Sequence, residues 1–177
     1  MIKTAAASKK GQKASFVSRV GMTVLTVVLI VLFFFIMMLV SRIQGTARIV
    51  NYAGLVRGET QRIIKLEGAG LPQDGMIEDV ASFIAGLRYG SDELDLVCLN
   101  DDAFQTKMEE LDNYFTSLKA EILLVRQKGY QNTAIIEMSE EFFMICDEAT
   151  GLAEEYSQHM ASELNQLERI VVVDILG

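Results

Sequence analysis

The chain has 177 residues, half of them hydrophobic, with a formal net charge of −8, one histidine, one proline, two cysteines and no tryptophan. The acid excess argues against DNA or another polyanion as a partner, because binding phosphates takes clustered Lys and Arg. A single histidine and two cysteines outside any CxxC spacing leave no metal-ligand set.

Residues 1–20 form a basic tail with Lys3, Lys9, Lys10, Lys13 and Arg19 and no acid. Between Arg19 and Arg42 lie 22 uncharged residues, centred on the run Val24–Val40. As a helix this run reaches about 33 Å, enough to cross a bilayer, so residues 21–41 read as a transmembrane helix. Lys and Arg close to a span stay in the cytoplasm, which puts the N-terminus inside and everything after the span outside. A cleaved signal peptide is the rival reading. It calls for an apolar region of roughly 7–15 residues and a small-x-small site, and only Gly45-Thr46-Ala47 faintly resembles one.

Residues 42–169 carry 11 basic and 23 acidic side chains, a net of −12. A single domain of this size can bury a core, and its few β-branched alternating runs and lone proline argue for helices. Breaks at 68–75, 89–92 and 128–133 leave four helices. The first runs out of the membrane to about Glu67. Its core stripe is Ile49, Ala53, Val56, Thr60 and Ile63, and beside it lies a seam of Val50, Gly54, Arg57 and Gln61. Gly54 and Gly58 each weaken a helix by about 1 kcal/mol relative to Ala, so they are either tolerated or used for close backbone approach. A short helix follows near 76–88. The third, about 101–127, has Phe104, Met108, Leu111, Phe115, Leu118, Ile122 and Val125 in steps of four and three, with Asp101 or Asp102 able to cap its start. The fourth starts near 133 and offers Ile135, Met138, Phe142, Ile145, Ala149, Leu152 and Tyr156, before shifting register to Met160, Leu164, Leu167 and Val171. These stripes predict an all-α, antiparallel four-helix bundle whose first and last helices continue into the membrane. Residues 170–177 (Ile-Val-Val-Val-Asp-Ile-Leu-Gly) read as the truncated start of a second span, with a buried helix end as the alternative. Asp174 is costly inside lipid and belongs at the interface or against a partner helix.

From Arg42 to Leu66 there are five basic residues and one acid, against the trend of the domain. Arg48 and Lys65 read as a solvated face pairing with acids elsewhere, and Arg62 has Glu59 one turn away. Arg57 differs because it flanks the core stripe and lies in the Gly54 seam. If two copies met along the Val50, Gly54, Arg57, Gln61 seam, their Arg57 guanidiniums about 7 Å apart would repel by about 2.4 kcal/mol at an effective dielectric near 20. A small anion between them would convert that repulsion into charge-assisted hydrogen bonds.

The stretch Val50-Asn51-Tyr52-Ala53-Gly54-Leu55-Val56-Arg57-Gly58-Glu59-Thr60-Gln61-Arg62 resembles the first periplasmic helix of nitrate/nitrite sensor kinases and of type IV pili chemoreceptor N-termini. Their pattern is close to Ile-Asn-x-Ala-Gly-x-x-Arg-x-x-x-x-Arg. The resemblance implies a dimerising four-helix bundle in a bacterial inner membrane, with Arg57, Arg62, Asn51 and Gly54 around a small anion such as nitrate or nitrite. Gly58 and Glu59 depart from the family's bulky and neutral residues, and Glu59 puts an acid near the site. Residues 54–67 also look like the input regions of clostridial membrane diguanylate cyclases. A cytoplasmic output that is a diguanylate cyclase, a histidine kinase or a chemoreceptor is what these likenesses imply.

No enzyme constellation is visible within the segment, and nothing in it asks for a cofactor. His159 has Tyr156 where a Glu-x-x-His motif needs Glu. Cys146 lies about 20 Å from His159 along one helix, too far for a nucleophile pair. Cys98 and Cys146 read as free thiols or as one disulfide. The acid clusters Asp92-Glu93-x-Asp95 and Glu140-Glu141 lack an EF-hand pattern. Three functional readings follow: a receptor input domain that passes a helix displacement across the membrane, a membrane-anchored adaptor that docks a partner protein without a small-molecule site, and, with less weight, an enzyme in a further portion whose input domain has lost its ligand.

Overall fold

Wherever apolar residues recur every three or four positions, the chain is helical. The computed structural model describes the backbone of residues 3–176 and the side chains of 18–162, except those of Leu39, Arg42 and Ile43, together with Gln166. Its α-helices are α1 (Lys3–Gly68), α2 (Asp74–Tyr89), α3 (Asp102–Lys128) and α4 (Ile135–Leu176), with a 3-10 turn at Tyr130–Asn132. The described residues contain no strand, only an isolated antiparallel bridge between Ser91 and Leu96. The chain divides into two units, Met1–Arg42 and Ile43–Gly177.

In the first unit, Ser18–Met38 is long and apolar enough to cross a membrane, with a mean hydropathy of 2.9 and none of it buried. It is the one such segment among the described residues. Thr23 and Thr26 donate their hydroxyls to the carbonyls of Arg19 and Met22, each at 2.9 Å. Side chains satisfied within their own helix in this way suit a solvent that offers no hydrogen bonds. The expected second span begins at Ile170, whose side chain and those after it lie outside the described residues; the helix itself continues to Leu176.

The second unit is built on the stripes read from the sequence. Ile49, Ala53, Val56, Thr60 and Ile63 of α1 are all buried, as is every member of the α3 stripe from Phe104 to Val125. From α4 come Ile135, Phe142, Ile145, Cys146, Ala149 and Ala153, and from α2 Val80, Ile84 and Leu87. Phe115 and Phe142 pack with ring centroids 5.6 Å apart, and Tyr52 of α1 meets Phe83 of α2 edge-on at 5.2 Å. Truncating a buried Phe such as these to Ala costs about 3–5 kcal/mol. Thr60 is the exception in this core: its hydroxyl is buried with no hydrogen-bond partner.

Helix ends follow local chemistry. Asp101 caps α3 by accepting from the Phe104 amide at 2.9 Å. Gly90 and Gly129 close α2 and α3 with φ of 82° and 77°, a conformation that a Cβ would strain. The segment 91–100 looks like a bare linker in the sequence, but it is pinned. Ser91 and Leu96 exchange both backbone hydrogen bonds at 2.8 Å, and Leu96 and Leu99 turn into the core. Gly86 makes room for this fold-back, since a Cβ there would meet Leu96 Cδ1 at 3.0 Å and Leu94 Cδ1 at 3.1 Å. Arg48 of α1 holds the loop from the other side, donating to the Asp95 carbonyl at 3.1 Å and pairing with its carboxylate.

Candidate functional site

Arg57 sits on α1 one residue beyond the buried Val56, so its stem starts at the core edge and its head reaches α4. Nη1 donates to Asp147 Oδ1 at 2.5 Å, and the guanidinium lies 5.2 Å from the centre of the Phe143 ring. The side chains are 35% and 63% exposed, so this is a surface pair with one partly sheltered partner. Among the described residues no hydrogen bond uses Nε or Nη2 of Arg57, which leaves open the planar fork that matches an oxyanion.

The other expected site residues divide into two groups. Gly54, one turn before Arg57, is half-buried, and a Cβ built there meets nothing within 4 Å. A Cβ at the exposed Gly58 or at Gly151 of α4 likewise meets nothing within 4 Å, so none of the three is needed for close approach within one chain. Gln61 donates from Nε2 to the Ser139 carbonyl of α4 at 3.2 Å, and Val50 packs against the core. Arg57, Gly54, Gln61 and Val50 therefore run along the α4 side of α1. Arg62 and Asn51 do not join them. Five residues of helix turn Arg62 about 140° away from Arg57, whereas Asn51 and Arg62 differ by only about 20°. Both are exposed, and the Arg62 head stands 3.7 Å from Glu59, the one-turn pair its spacing predicts.

Beside this pair lies Cys146, wholly buried. Burial pushes its thiol up to about 12, with the Arg57 charge pulling down and Asp147 pushing up, so it stays protonated and unreactive. Cys98 is exposed, and both cysteines are free. Asp147 is the Arg57 partner that the sequence reading does not find. The α4 stripe places Ile145 in the core and passes over Asp147, and nothing in the linear sequence pairs it with a residue ninety positions earlier.

A second charged cluster was also missed. Arg126 of α3 grips Glu67 in a fork, Nε to Oε2 at 2.9 Å and Nη2 to Oε1 at 2.6 Å, and reaches Asp74 Oδ1 at 2.8 Å. The Gln73 amide adds a bond to Glu67 Oε1 at 2.8 Å. The Glu67 side chain is 1% exposed. Burial raises its pKa, but the Arg126 hydrogen bonds, the Gln73 amide and the Arg126 charge outweigh that, so the carboxyl titrates below its ordinary value. A signal for it did exist: the α1 stripe Ile49, Ala53, Val56, Thr60, Ile63 extended by one step of four lands on Glu67.

Lys107 bridges Glu110 and Glu148 at 2.7 Å each, which raises its pKa. Tyr114 donates to Glu141 at 2.7 Å; burial and this carboxylate push the phenol up to about 12. Among the described residues no three His, Cys, Asp or Glu side chains are grouped to hold a metal. Comparison with protein-family models, with curated proteins and with solved structures finds no match to the chain.

Proposed function

We propose that the chain is the input domain of a two-span bacterial signal-transduction receptor. Its basic tail is cytoplasmic and its second unit is an extracytoplasmic antiparallel four-helix bundle in the cell membrane. It detects a small anion, nitrate or nitrite being the first to test, and passes a helix displacement to a cytoplasmic output: a diguanylate cyclase, histidine kinase or chemoreceptor module. The observation that carries this reading is Arg57, held at the α1–α4 boundary by Asp147 with its Nε/Nη2 fork open. The cross-links Thr46–Ser157, Arg57–Asp147 and Gln61–Ser139 advance along α1 as they retreat along α4, which supports the antiparallel arrangement. The open space at Gly54 supports a homodimer that meets along the seam of Val50, Gly54, Arg57 and Gln61.

In such a dimer an anion bridging the two open Arg57 forks draws each guanidinium toward the dimer axis and away from Asp147. Binding therefore loosens α4 from α1 within each chain and favours one of two packings. Full-length chain in detergent micelles tests this by thermal unfolding against a panel of small anions. One anion raises the midpoint in a concentration-dependent way, corresponding to a stabilisation of about 2.7 kcal/mol at a hundred times its Kd, and Arg57→Ala abolishes the shift.

A second reading, a membrane-anchored helical adaptor, is favoured by Ile136, Phe143 and Met144. These large apolar side chains stand exposed on one face of α4 at spacings of seven and one. No anion shift, from a chain whose mass in micelles rises only when a partner protein is added, would select the adaptor.

A further inference from the structure

The outer side of the α1–α4 boundary carries two matching stripes. On α1, Gly54, Gly58 and Lys65 fall within about 40° of one another, and on α4 Glu140, Met144 and Gly151 do the same. Both stripes lie just past the contacts that join the helices, Arg57–Asp147 and Gln61–Ser139, on the side away from the core, so they form one face. Within one chain that face is unfinished. A Cβ at any of its three glycines meets nothing within 4 Å, and Met144 is 62% exposed. Lys65 and Glu140 are both exposed, and among the described residues neither has an ion-pair partner.

The stripes also match in height. Counting along the two helices in opposite directions from the Arg57–Asp147 contact, Gly54 stands level with Gly151, Gly58 with Met144 and Lys65 with Glu140, each to within about 3 Å. Two copies anchored by the same helix point the same way, so a two-fold axis between them brings equal heights together. Packing α1 on the other copy's α1 would set Lys65 beside Lys65, and packing α4 on α4 would set Glu140 beside Glu140. Packing α1 on the other copy's α4 instead opposes unlike charges, seats Met144 over the bare Gly58, and lets the backbones approach at Gly54 and Gly151. We infer that a second copy covers this face in that arrangement, making the Lys65–Glu140 and Gly58–Met144 contacts twice across the axis. The inference rests on the homodimer of the proposed function and specifies which helices meet in it; it does not depend on an anion.

The test uses the full chain in non-ionic detergent micelles at low ionic strength, with the dimer dissociation constant measured by sedimentation equilibrium. Lys65→Glu and Glu140→Lys each weaken self-association by about tenfold, because every reversal is felt at two contacts. Mixing the two variants restores the affinity of the unaltered chain, since in their heterodimer both contacts again join unlike charges. Rescue between chains cannot arise from a pair within one chain. Gly58→Leu weakens association by about tenfold or more, through a clash with Met144 of the other copy, and keeps the helix content, because nothing in its own chain stands within 4 Å. A dimer that ignores all three substitutions, or whose charge variants are not rescued by mixing, overturns the inference and leaves a homodimer built on another face. A chain that stays single at every concentration, or until another protein is added, overturns the homodimer as well and gives the face to a different partner.

Discussion

Arg57 and Arg126 both tie α1 to the rest of its helical unit, and they do so under opposite conditions. Arg126 grips a carboxylate that is almost wholly out of water, with three bonds to two acids and a backbone amide completing the set. Arg57 meets Asp147 at the surface with one bond, one edge in use and one edge open. A buried charge whose partner is removed has nowhere to go, whereas an exposed one turns to water. The first contact therefore behaves as structure, and the second as a contact that a ligand can exchange.

The contrast sets the size of the effects. Arg126→Ala strands Glu67 in the core edge and should lower the unfolding free energy by about 3–5 kcal/mol, measured by denaturant unfolding in micelles. A loss under 1 kcal/mol would dissolve the distinction. Thr60, between the two arginine contacts on the same stripe, provides an internal standard: Thr60→Val removes an unpartnered buried hydroxyl and should stabilise by about 1 kcal/mol, read the same way. Arg57→Ala should cost only about 0.2–1 kcal/mol, because its pair is exposed.

Acid sharpens the comparison. The folded pKa of Glu67 lies below its ordinary value of 4.5, so the stability it contributes is complete above about that pH and is lost as pH falls through the lower folded value. Unfolding midpoints measured from pH 7 down to about 3 should fall below pH 4.5, less steeply in Arg126→Ala, where the carboxyl is no longer held down.

The helices were legible because core-facing residues repeat. The α3 stripe from Phe104 to Val125 and the α1 stripe from Ile49 to Ile63 needed nothing but spacing, and each is buried in full. What spacing does not encode is which residue meets which across the unit. Asp147 is an ordinary acid on an acidic helix until α4 lies beside α1, and Arg126 gains its partners only when the ends of α1 and α3 and the start of α2 converge. Glu67 lay within reach, since the stripe points to it. It was passed over because a carboxylate in a core position is unfavourable until a fork of donors surrounds it. The segment 91–100 hid for a related reason: its polar residues read as solvated, while Leu96 and Leu99 do the anchoring.

The cysteines make the chain convenient to study. Cys146 is sealed in the core, while Cys98 is open to solvent on the segment that Arg48 fastens to α1. A maleimide dye or nitroxide added to the unmodified protein will attach at one position only, so the chain arrives with its own single-site reporter. Two such labels in a pair of chains form a molecular ruler, able to register any shift between copies without a single engineered residue.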